Sequence, residues 1–195
     1  MSPRAGLTTE AVVTLALEIV DESGPEALTL AKVAGRAGVA APSLYKHVKG
    51  LADLRRLIDL RVVREMTETL RTAATGREGA GAVASLADAY RAYLRRHPHR
   101  TQALATDPDR GDAELSTATH AVAEVAFAAL RPFGFDHAQA VHATRCLRAA
   151  VHGFAGLEAS GGFGRPEDVA QSFEVLKTML VQGITDYARK QNENR

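Results

Sequence analysis

The chain has 195 residues, of which 46% are hydrophobic and 24% are charged. This composition is close to the globular average, so it argues against a disordered or fibrous protein, and the length fits one large or two small domains. Lys and Arg total 24 and Asp and Glu total 23, which gives a formal net charge of +1. That balance excludes a chain that is basic throughout, but a local basic patch is still compatible with it.

The sequence indicates neither a disulfide nor a membrane anchor. The single cysteine, Cys146, cannot form a disulfide within the chain, which fits a reducing compartment. The best candidate for a membrane span, residues 115–130, carries a histidine and a glutamate in its middle. Residues 11–20 are apolar enough to mimic a signal peptide, but Glu18 interrupts them and no cleavage pattern follows. We therefore expect a cytoplasmic protein without a membrane partner.

Helix-forming residues fill the chain from end to end. Ala, Leu, Arg and Glu dominate the segments between a few breaks that contain Gly and Pro. Strand signals are almost absent, so we predict an all-α fold. The predicted helices cover residues 9–23, 30–37, 41–48, 51–72, 82–96, 98–105, 112–131, 136–159 and 167–190. The glycine-rich stretch 76–81 is the clearest internal boundary between them.

Residues 29–49 carry the strongest pattern in the chain. Two short predicted helices meet at Gly38, a residue that can take the left-handed conformation that a tight turn needs. Ala34 is small where the two helices must cross. Their shared core can form from Val33, Val39, Leu44 and Val48. These are the requirements of a helix-turn-helix, whose second helix enters the major groove of DNA.

The charges of this segment favour contact with DNA. No acidic residue lies between Glu26 and Asp53, and the gap contains the cations Lys32, Arg36, Lys46 and Lys49. An acid-free cationic stretch in a nearly neutral chain is the local positive patch that phosphate binding needs. The alternative is the solvated face of an ordinary helical hairpin, and the absence of acidic residues argues against it.

At these residues the sequence resembles the tetracycline-repressor (TetR) family of transcriptional regulators. The resemblance covers about residues 8–70 and rests on Gly24, residues 28–30, Ala34, residues 37–39, residues 43–45, His47 and Leu54. Residues 44–49 read Leu-Tyr-Lys-His-Val-Lys, as in the tetracycline repressors themselves. One departure is Ala40, where the family often has a Ser or Thr cap, and its loss should cost the next helix about 1 kcal/mol.

The resemblance implies a DNA-binding head with a three-helix helix-turn-helix over residues 8–70 and an effector-binding and dimerisation body over residues 71–195. It also implies a non-enzymatic homodimer that represses from a palindromic double-stranded DNA operator until a small-molecule effector binds. An activator of the same fold that needs no effector is an alternative. An all-helical enzyme is disfavoured, because the chain has no phosphate-binding loop and no Gly-x-Ser-x-Gly motif.

Candidate DNA contacts follow from the helix-turn-helix. They are Thr29, Lys32, Ala41, Pro42, Ser43, Tyr45, Lys46, His47 and Lys49. Thr29 lies at a helix N-terminus, where hydroxyl and backbone N–H groups can bind phosphate, while Pro42 and Ser43 lie nearest the bases. The resemblance implies phosphate contacts for Tyr45 and His47, although Tyr45 could partly be core. Lys46 is the candidate reader of guanine, with a phosphate contact as the alternative.

The C-terminal body carries a weaker pattern. Residues 151–158 resemble a Trp-His-Gly motif found in one subtype of TetR-like C-terminal domains, with Val151 in place of tryptophan. Three small residues would let another helix approach closely: Ala149, Gly153 and Gly156. An apolar stripe follows on the last helix: Phe173, Leu176, Leu180, Ile184 and Tyr187. Together they predict a dimer interface through the last two helices of each subunit, with burial inside one chain as the alternative.

An effector pocket is expected among the helices after Leu51, and it should be mostly apolar, as should its ligand. The candidate lining residues, each with core packing as the alternative, are Tyr90, Tyr93, Leu94, Leu104, His120, Phe127, His142 and Cys146. His142 and Cys146 are one helical turn apart, but two ligands do not make a metal site. We therefore expect no metal and no cofactor.

Overall fold

The structure, a computed structural model, describes residues 6–105 and 111–193. Over these ranges the chain is helical and contains no strand, which confirms the predicted all-α fold. The α-helices are α1 (Thr9–Ser23), α2 (Leu30–Ala37), α3 (Leu51–Ala74), α4 (Gly79–Arg96), α5 (Thr101–Leu104), α6 (Ala113–Leu130), α7 (His137–Ala159) and α8 (Val169–Glu193). Short 3₁₀ segments lie between them at Pro25–Ala27, Ala41–Lys46, Pro98–Arg100 and Arg131–Phe133.

The helices of the N-terminal head begin and end at local signals. Thr8 caps α1 and Thr29 caps α2, because each side chain accepts a bond from a backbone N–H three residues ahead. Gly38 ends α2 in the left-handed conformation, with a φ of 68°, and its amide donates to the carbonyls of Ala34 and Gly35. Glycine adopts this conformation without the strain that a side chain would add, so the turn of the helix-turn-helix depends on it.

The second helix of the helix-turn-helix differs from the prediction. Residues 41–48 were expected to be a helix, but only Ala41–Lys46 is helical and it is a 3₁₀ segment. Ala40 offers no side-chain oxygen to the first turn, and Pro42 has no N–H to donate. The amides close tighter turns instead, for example from Ser43 to the carbonyl of Ala40 at 2.9 Å. We call residues 41–49 the recognition segment; its apolar side chains Leu44 and Val48 are buried as predicted.

α3 links the head to the body. It packs on α1 in the head and on α4, α5 and α6 in the body. α4 lies at the centre of the body, in contact with α3, α6, α7 and α8. Within the described ranges, no helix is both long and apolar enough to cross a membrane.

The most buried side chains of the apolar stripe of α8 face their own chain, which favours the alternative of burial within one chain for this part of the stripe. Phe173 is 1% exposed and Ile184 is buried, while Leu176 and Leu180 pack against the core from its edge. The ring of Tyr187 packs on a phenylalanine that precedes α7. An apolar stripe predicts burial, but it does not say whether the covering surface belongs to the same chain or to a second one.

Candidate nucleic-acid interface and ligand cavity

The residues predicted to contact DNA are all accessible on α2 and the recognition segment. Exposed side chains are those of Thr29, Lys32, Pro42, Tyr45, Lys46 and Lys49, and half-buried ones are those of Ala41, Ser43 and His47. The ring of Tyr45 is 62% exposed, so it does not belong to the core of the head. The recognition segment thus presents both cations and hydrogen-bonding groups to solvent.

The cations of the acid-free stretch are not equivalent. Arg36 donates to both carboxylate oxygens of Glu22, at 2.9 and 2.5 Å, and lies 3.6 Å from Glu18. Its hydrogen bond to Glu22 raises the pKa of Arg36, and the pKa of Glu22 is lowered in turn. Among the described residues, Lys32 and Lys46 form no such ion pair, which leaves their charges available to a partner.

Both neighbouring helices hold the end of the recognition segment. The hydroxyl of Thr9, at the start of α1, donates to the carbonyl of His47 at 3.2 Å. The amide of Lys49 donates to Oδ2 of Asp53, in the first turn of α3, at 2.9 Å. Neither Thr9 nor Asp53 is among the predicted site residues, although Asp53 ends the acid-free stretch and so stands out in the sequence.

A cavity of about 620 Å³ lies inside the body and is lined by α3, α4, α5, α6 and α7. Apolar side chains form most of its wall, for example Val63, Met66 and Leu70 from α3. Four of the residues predicted to line an effector pocket are brought together here: Tyr90, Leu104, His120 and Phe127. Within the described ranges no group of His, Cys, Asp and Glu side chains could hold a metal ion.

The other four predicted lining residues lie elsewhere. Tyr93 points toward α3, where its hydroxyl donates to Oε2 of Glu65 at 3.2 Å, and Leu94 is fully buried in the core. His142 and Cys146 are exposed on α7. Successive helix residues are about 100° apart, so Cys146 is turned away from Thr144, which does line the cavity.

A polar cluster lies beside one wall of the cavity. The hydroxyl of Tyr90 and Nδ1 of His152 are 2.8 Å apart. Burial raises the pKa of Tyr90 to about 12, and the nearby charge of Arg148 acts in the opposite direction. Burial, with the charge of Arg148, lowers the pKa of His152. Both rings are therefore neutral near pH 7. Arg148 itself donates to the carbonyl of Leu104 at 2.6 Å.

The motif at residues 151–158 attaches α7 to α4. Besides the contact between His152 and Tyr90, Glu158 accepts two hydrogen bonds of 2.8 Å from Arg91. The guanidinium of Arg91 also lies 4.5 Å from the centre of the Phe173 ring on α8. The conspicuous polar residues of the motif thus join helices within one chain.

Comparison with known proteins identifies the family. Residues 83–180 match the family model of the tetracyclin repressor-like C-terminal domain. The chain belongs to the TetR family of transcriptional regulators. It is therefore a helix-turn-helix regulator and not an enzyme.

Two bacterial relatives match this TetR-family regulator over most of their length. The helix-turn-helix regulator Rv0681 of Mycobacterium tuberculosis is 38% identical over 158 residues, which cover 80% of this chain and 72% of the relative. The regulator YobS of Bacillus subtilis is 31% identical over 196 residues, which cover 94% of this chain and 96% of the relative.

A solved structure has the same fold. Apo ActR from Streptomyces coelicolor superposes with a TM-score of 0.73 at 19% identity, covering 97% of this chain and 100% of that one. ActR has also been solved in complex with (S)-DNPA, and this complex matches with a TM-score of 0.68 at 19% identity, covering 94% of this chain and all of that one. At this identity the likeness concerns the fold.

Two ionic networks join the head of the regulator to its body. Arg100, which is 7% exposed, donates to both oxygens of Asp21 on α1 at 2.8 and 2.5 Å. It also donates to Glu65 on α3 at 2.6 Å and to the hydroxyl of Tyr93 on α4 at 3.0 Å. Burial alone would lower the pKa of Arg100, but these hydrogen bonds outweigh it and raise the pKa. Three helices therefore meet at one guanidinium.

The second network connects α3 with the start of α6. Arg56 donates to Asp112 at 3.0 Å and to Glu114 at 3.3 Å, and it lies 3.5 Å from Asp53. Asp112 is also the N-cap of α6, because it accepts bonds from the amides of Glu114 and Leu115. The same Asp53 holds the amide of Lys49, so a continuous polar chain runs from α6 to the recognition segment.

Proposed function

We propose that this regulator is a repressor that binds a palindromic double-stranded DNA operator and releases it when a small molecule enters the cavity. The observation that carries the proposal is that one helix, α3, reaches both sites. Asp53 in its first turn holds the Lys49 amide, and later turns line the cavity through Val63, Met66 and Leu70. A ligand that moves these later turns acts on the helix that holds the recognition segment.

The proposed DNA contacts divide between phosphates and bases. Phosphate contacts are assigned to Thr29, Lys32, Tyr45, His47 and Lys49. Contacts with base edges are assigned to Ala41, Pro42 and Ser43 in the first turn of the recognition segment. Lys46 is assigned to guanine, because its long donor side chain is exposed while its neighbours in that turn are small or short.

We assign residues 8–70 to the DNA-binding head and residues 71–195 to the body. α3 (Leu51–Ala74) crosses this boundary without a break, so the last turns of the head also form cavity wall. We also assign residues 151–158 to the Trp-His-Gly subtype of C-terminal domain, supported by the contacts of His152 and Glu158 with α4. The proposed place of action is the cytoplasm, where a regulator meets its DNA.

We propose that the regulator is a homodimer through the outer faces of α7 and α8. Leu157, Val175 and Met179 are 51%, 50% and 65% exposed there, which is unusual for large apolar side chains on two neighbouring helices. Gly153 on α7 and Gly183 on α8 have open space where a Cβ would be, which leaves room for a second helix. This interface replaces the stripe from Phe173 to Tyr187 that the sequence suggested.

The proposed effector site is the cavity, whose volume is in the range of known small-molecule sites. Its apolar walls favour a largely apolar ligand. The complex of ActR, a protein of the same fold, with (S)-DNPA supports the assignment of a small-molecule site to this architecture.

Measurements of DNA binding, ligand binding and transcription test the proposed function. Genomic fragments selected by the purified protein should share a palindrome, and fluorescence anisotropy should show two chains bound per site. A compound that raises the melting temperature in a library screen should then lower the affinity for that fragment. Transcription from a reporter with the fragment inside its promoter should fall when the protein is present. Rising transcription, with no compound that affects DNA binding, would favour an effector-independent activator.

A further inference from the structure

We propose that the effector of this regulator is an organic acid, with an apolar body and one carboxylate or similar anion that Arg148 and Thr144 bind inside the cavity. This inference rests on the proposed function, because it names the ligand class of the proposed effector site. The cavity walls supply the apolar contacts, and two polar side chains on one face of α7 supply the anion site.

Arg148 is a cation whose hydrogen-bonding capacity is only partly used. It is exposed, it donates to the neutral carbonyl of Leu104 at 2.6 Å, and it lies near the neutral hydroxyl of Tyr90, whose pKa burial raises and Arg148 acts to lower. The two buried arginines of the body, Arg91 and Arg100, each donate to both oxygens of a carboxylate. A guanidinium has five N–H donors in a planar fork that fits a carboxylate, so Arg148 retains the donors that a bound acid would need.

Thr144 supplies the second observation. Its Oγ1 is buried and has no hydrogen-bond partner among the residues that the structure describes, although Thr144 lines the cavity. A hydroxyl of this kind usually bonds to the carbonyl four residues back, as Thr119 does on α6. Thr144 and Arg148 are one helical turn apart and therefore share a face of α7. One carboxylate can accept from both side chains.

The polar groups beside Arg148 are compatible with an anion. Tyr90 and His152 are neutral and bonded to each other, so they neither repel nor neutralise an acid. Glu124 and Arg145 also line the cavity, and both are exposed, as Arg148 is. Solvent therefore screens the repulsion between Glu124 and a bound anion, while the anion still contacts the buried hydroxyl of Thr144.

Matched probes test the ligand class on the full chain. One set is 2-naphthoate, 2-naphthamide and 2-naphthylmethylammonium, and the second is octanoate, octanamide and octylammonium. Within each set the body is constant and the charge changes. We expect isothermal titration calorimetry to give the acid a Kd at least about tenfold lower than that of the amide, with the ammonium compound weaker still.

Variants test whether Arg148 and Thr144 cause the preference for the acid over the amide. Arg148→Gln should weaken binding of the acid at least about tenfold and leave the amide nearly unchanged, while Thr144→Val should weaken the acid a few-fold. Arg131→Gln removes an exposed arginine that does not line the cavity, so it is the matched control and should keep the preference. Ala126→Phe fills the cavity and should weaken all probes alike, which shows that they bind there.

The wild-type comparison decides the inference even if a variant folds poorly. If an amide or ammonium probe binds as tightly as the acid, the organic-acid inference is wrong, but the cavity is still supported as the effector site. An acid preference that survives in a folded Arg148→Gln protein overturns the assigned residues. If no probe of any charge binds, the organic-acid inference is wrong, while the library screen decides separately whether an effector exists.

Discussion

The basic side chains of the head differ in what already neutralises them. Arg36 forms ion pairs with Glu22 and Glu18 of α1, so its charge is already neutralised within the chain. Lys49 is exposed, and its backbone amide donates to Asp53, while its side chain forms no ion pair within residues 6–105 and 111–193. A sequence count treats these two cations alike, because the carboxylates that pair with Arg36 lie a helix earlier in the chain. Their contributions to DNA binding should therefore differ.

Replacing Lys49 with alanine should weaken binding to all DNA sequences and reduce the slope of log K against log salt concentration by about one. The reason is that one fewer phosphate is neutralised, so one fewer counterion is released. Anisotropy titrations of operator and random DNA at several salt concentrations measure the slope. Arg36→Ala is the matched control and should change the slope much less. A Lys49→Ala protein with an unchanged slope but altered sequence preference would place Lys49 at a base.

A second residue, His152, should make stability depend on pH. Burial, with the charge of Arg148, lowers its pKa below the ordinary value of 6.5, so the unfolded chain binds a proton more readily than the folded one. Its stabilising contribution is therefore complete above the unfolded pKa and is lost as the pH falls through the folded pKa. Urea unfolding between about pH 8 and pH 5 should show a free energy of unfolding that decreases toward acid.

In His152→Gln this decrease should be smaller, since the substituted side chain does not titrate. His142→Gln is the control, because His142 lies exposed on another face of the same helix. His97 acts in the same direction, since burial also lowers its pKa, and it accounts for part of the remaining decrease. Equal pH dependence in wild type and His152→Gln would show that His152 does not carry the effect.

The positions of the helices in the chain could be predicted from the sequence. Which face of each helix points inward could be predicted only in part. Helix ends depend on local chemistry, and Thr29 and Gly38 therefore end α2 where the sequence indicated. The face of α7 that lines the cavity depends on which helices pack around it. Cys146 was therefore expected inside and lies outside, whereas Thr144 was missed. Periodicity reports that a helix has an apolar face, but the polar residues at its edges can point either way.

The polar chain between α6 and the recognition segment gives a prediction for the element that joins head and body. Arg56→Ala removes the bonds from α3 to Asp112 and Glu114 and the contact with Asp53. Because these side chains are partly exposed, the free energy of unfolding should fall by only about 1 kcal/mol or less. Amide hydrogen exchange should nevertheless become faster at Lys49 and in the first turn of α6.

Arg71→Ala is the matched control for this change. Arg71 lies on α3 as well, but its ion pair with Glu68 stays within that helix and is exposed. Exchange at Lys49 should therefore match wild type in Arg71→Ala. If Arg56→Ala leaves exchange at both ends of the polar chain unchanged, the ionic contacts do not transmit between α6 and the head.

Features that need the whole molecule were the hardest to predict. The lining residues of the cavity come from five helices, so no single segment of the sequence indicates where the cavity lies. Arg100 was not identified, because its partners Asp21, Glu65 and Tyr93 are far from it in sequence or lie on other helices. By contrast, the helix-turn-helix is contained in about twenty residues, and its core residues could be named in advance. Local motifs were predictable, whereas contacts between distant helices were not.

The proposed homodimer predicts how the outer face of the whole molecule behaves. Met179 is 65% exposed on α8 and would be covered by the partner subunit. Met179→Glu would bury a charge in that interface, so we expect the dimer Kd to rise at least about 100-fold. Sedimentation velocity measures the change. Operator binding should weaken with it, because one helix-turn-helix reads only one half-site.

The single cysteine provides an independent readout of the same prediction. Cys146 is exposed on α7, on the helix face that also carries Gly153, and a partner subunit would cover it. A maleimide should therefore label Cys146 slowly in wild type and faster in Met179→Glu. Thr185→Glu introduces the same charge about a third of a turn around α8 from Met179 and should leave both the dimer and the labelling rate unchanged. If Cys146 is labelled as fast in wild type as in Met179→Glu, while sedimentation still shows a dimer, the two chains meet through a different surface.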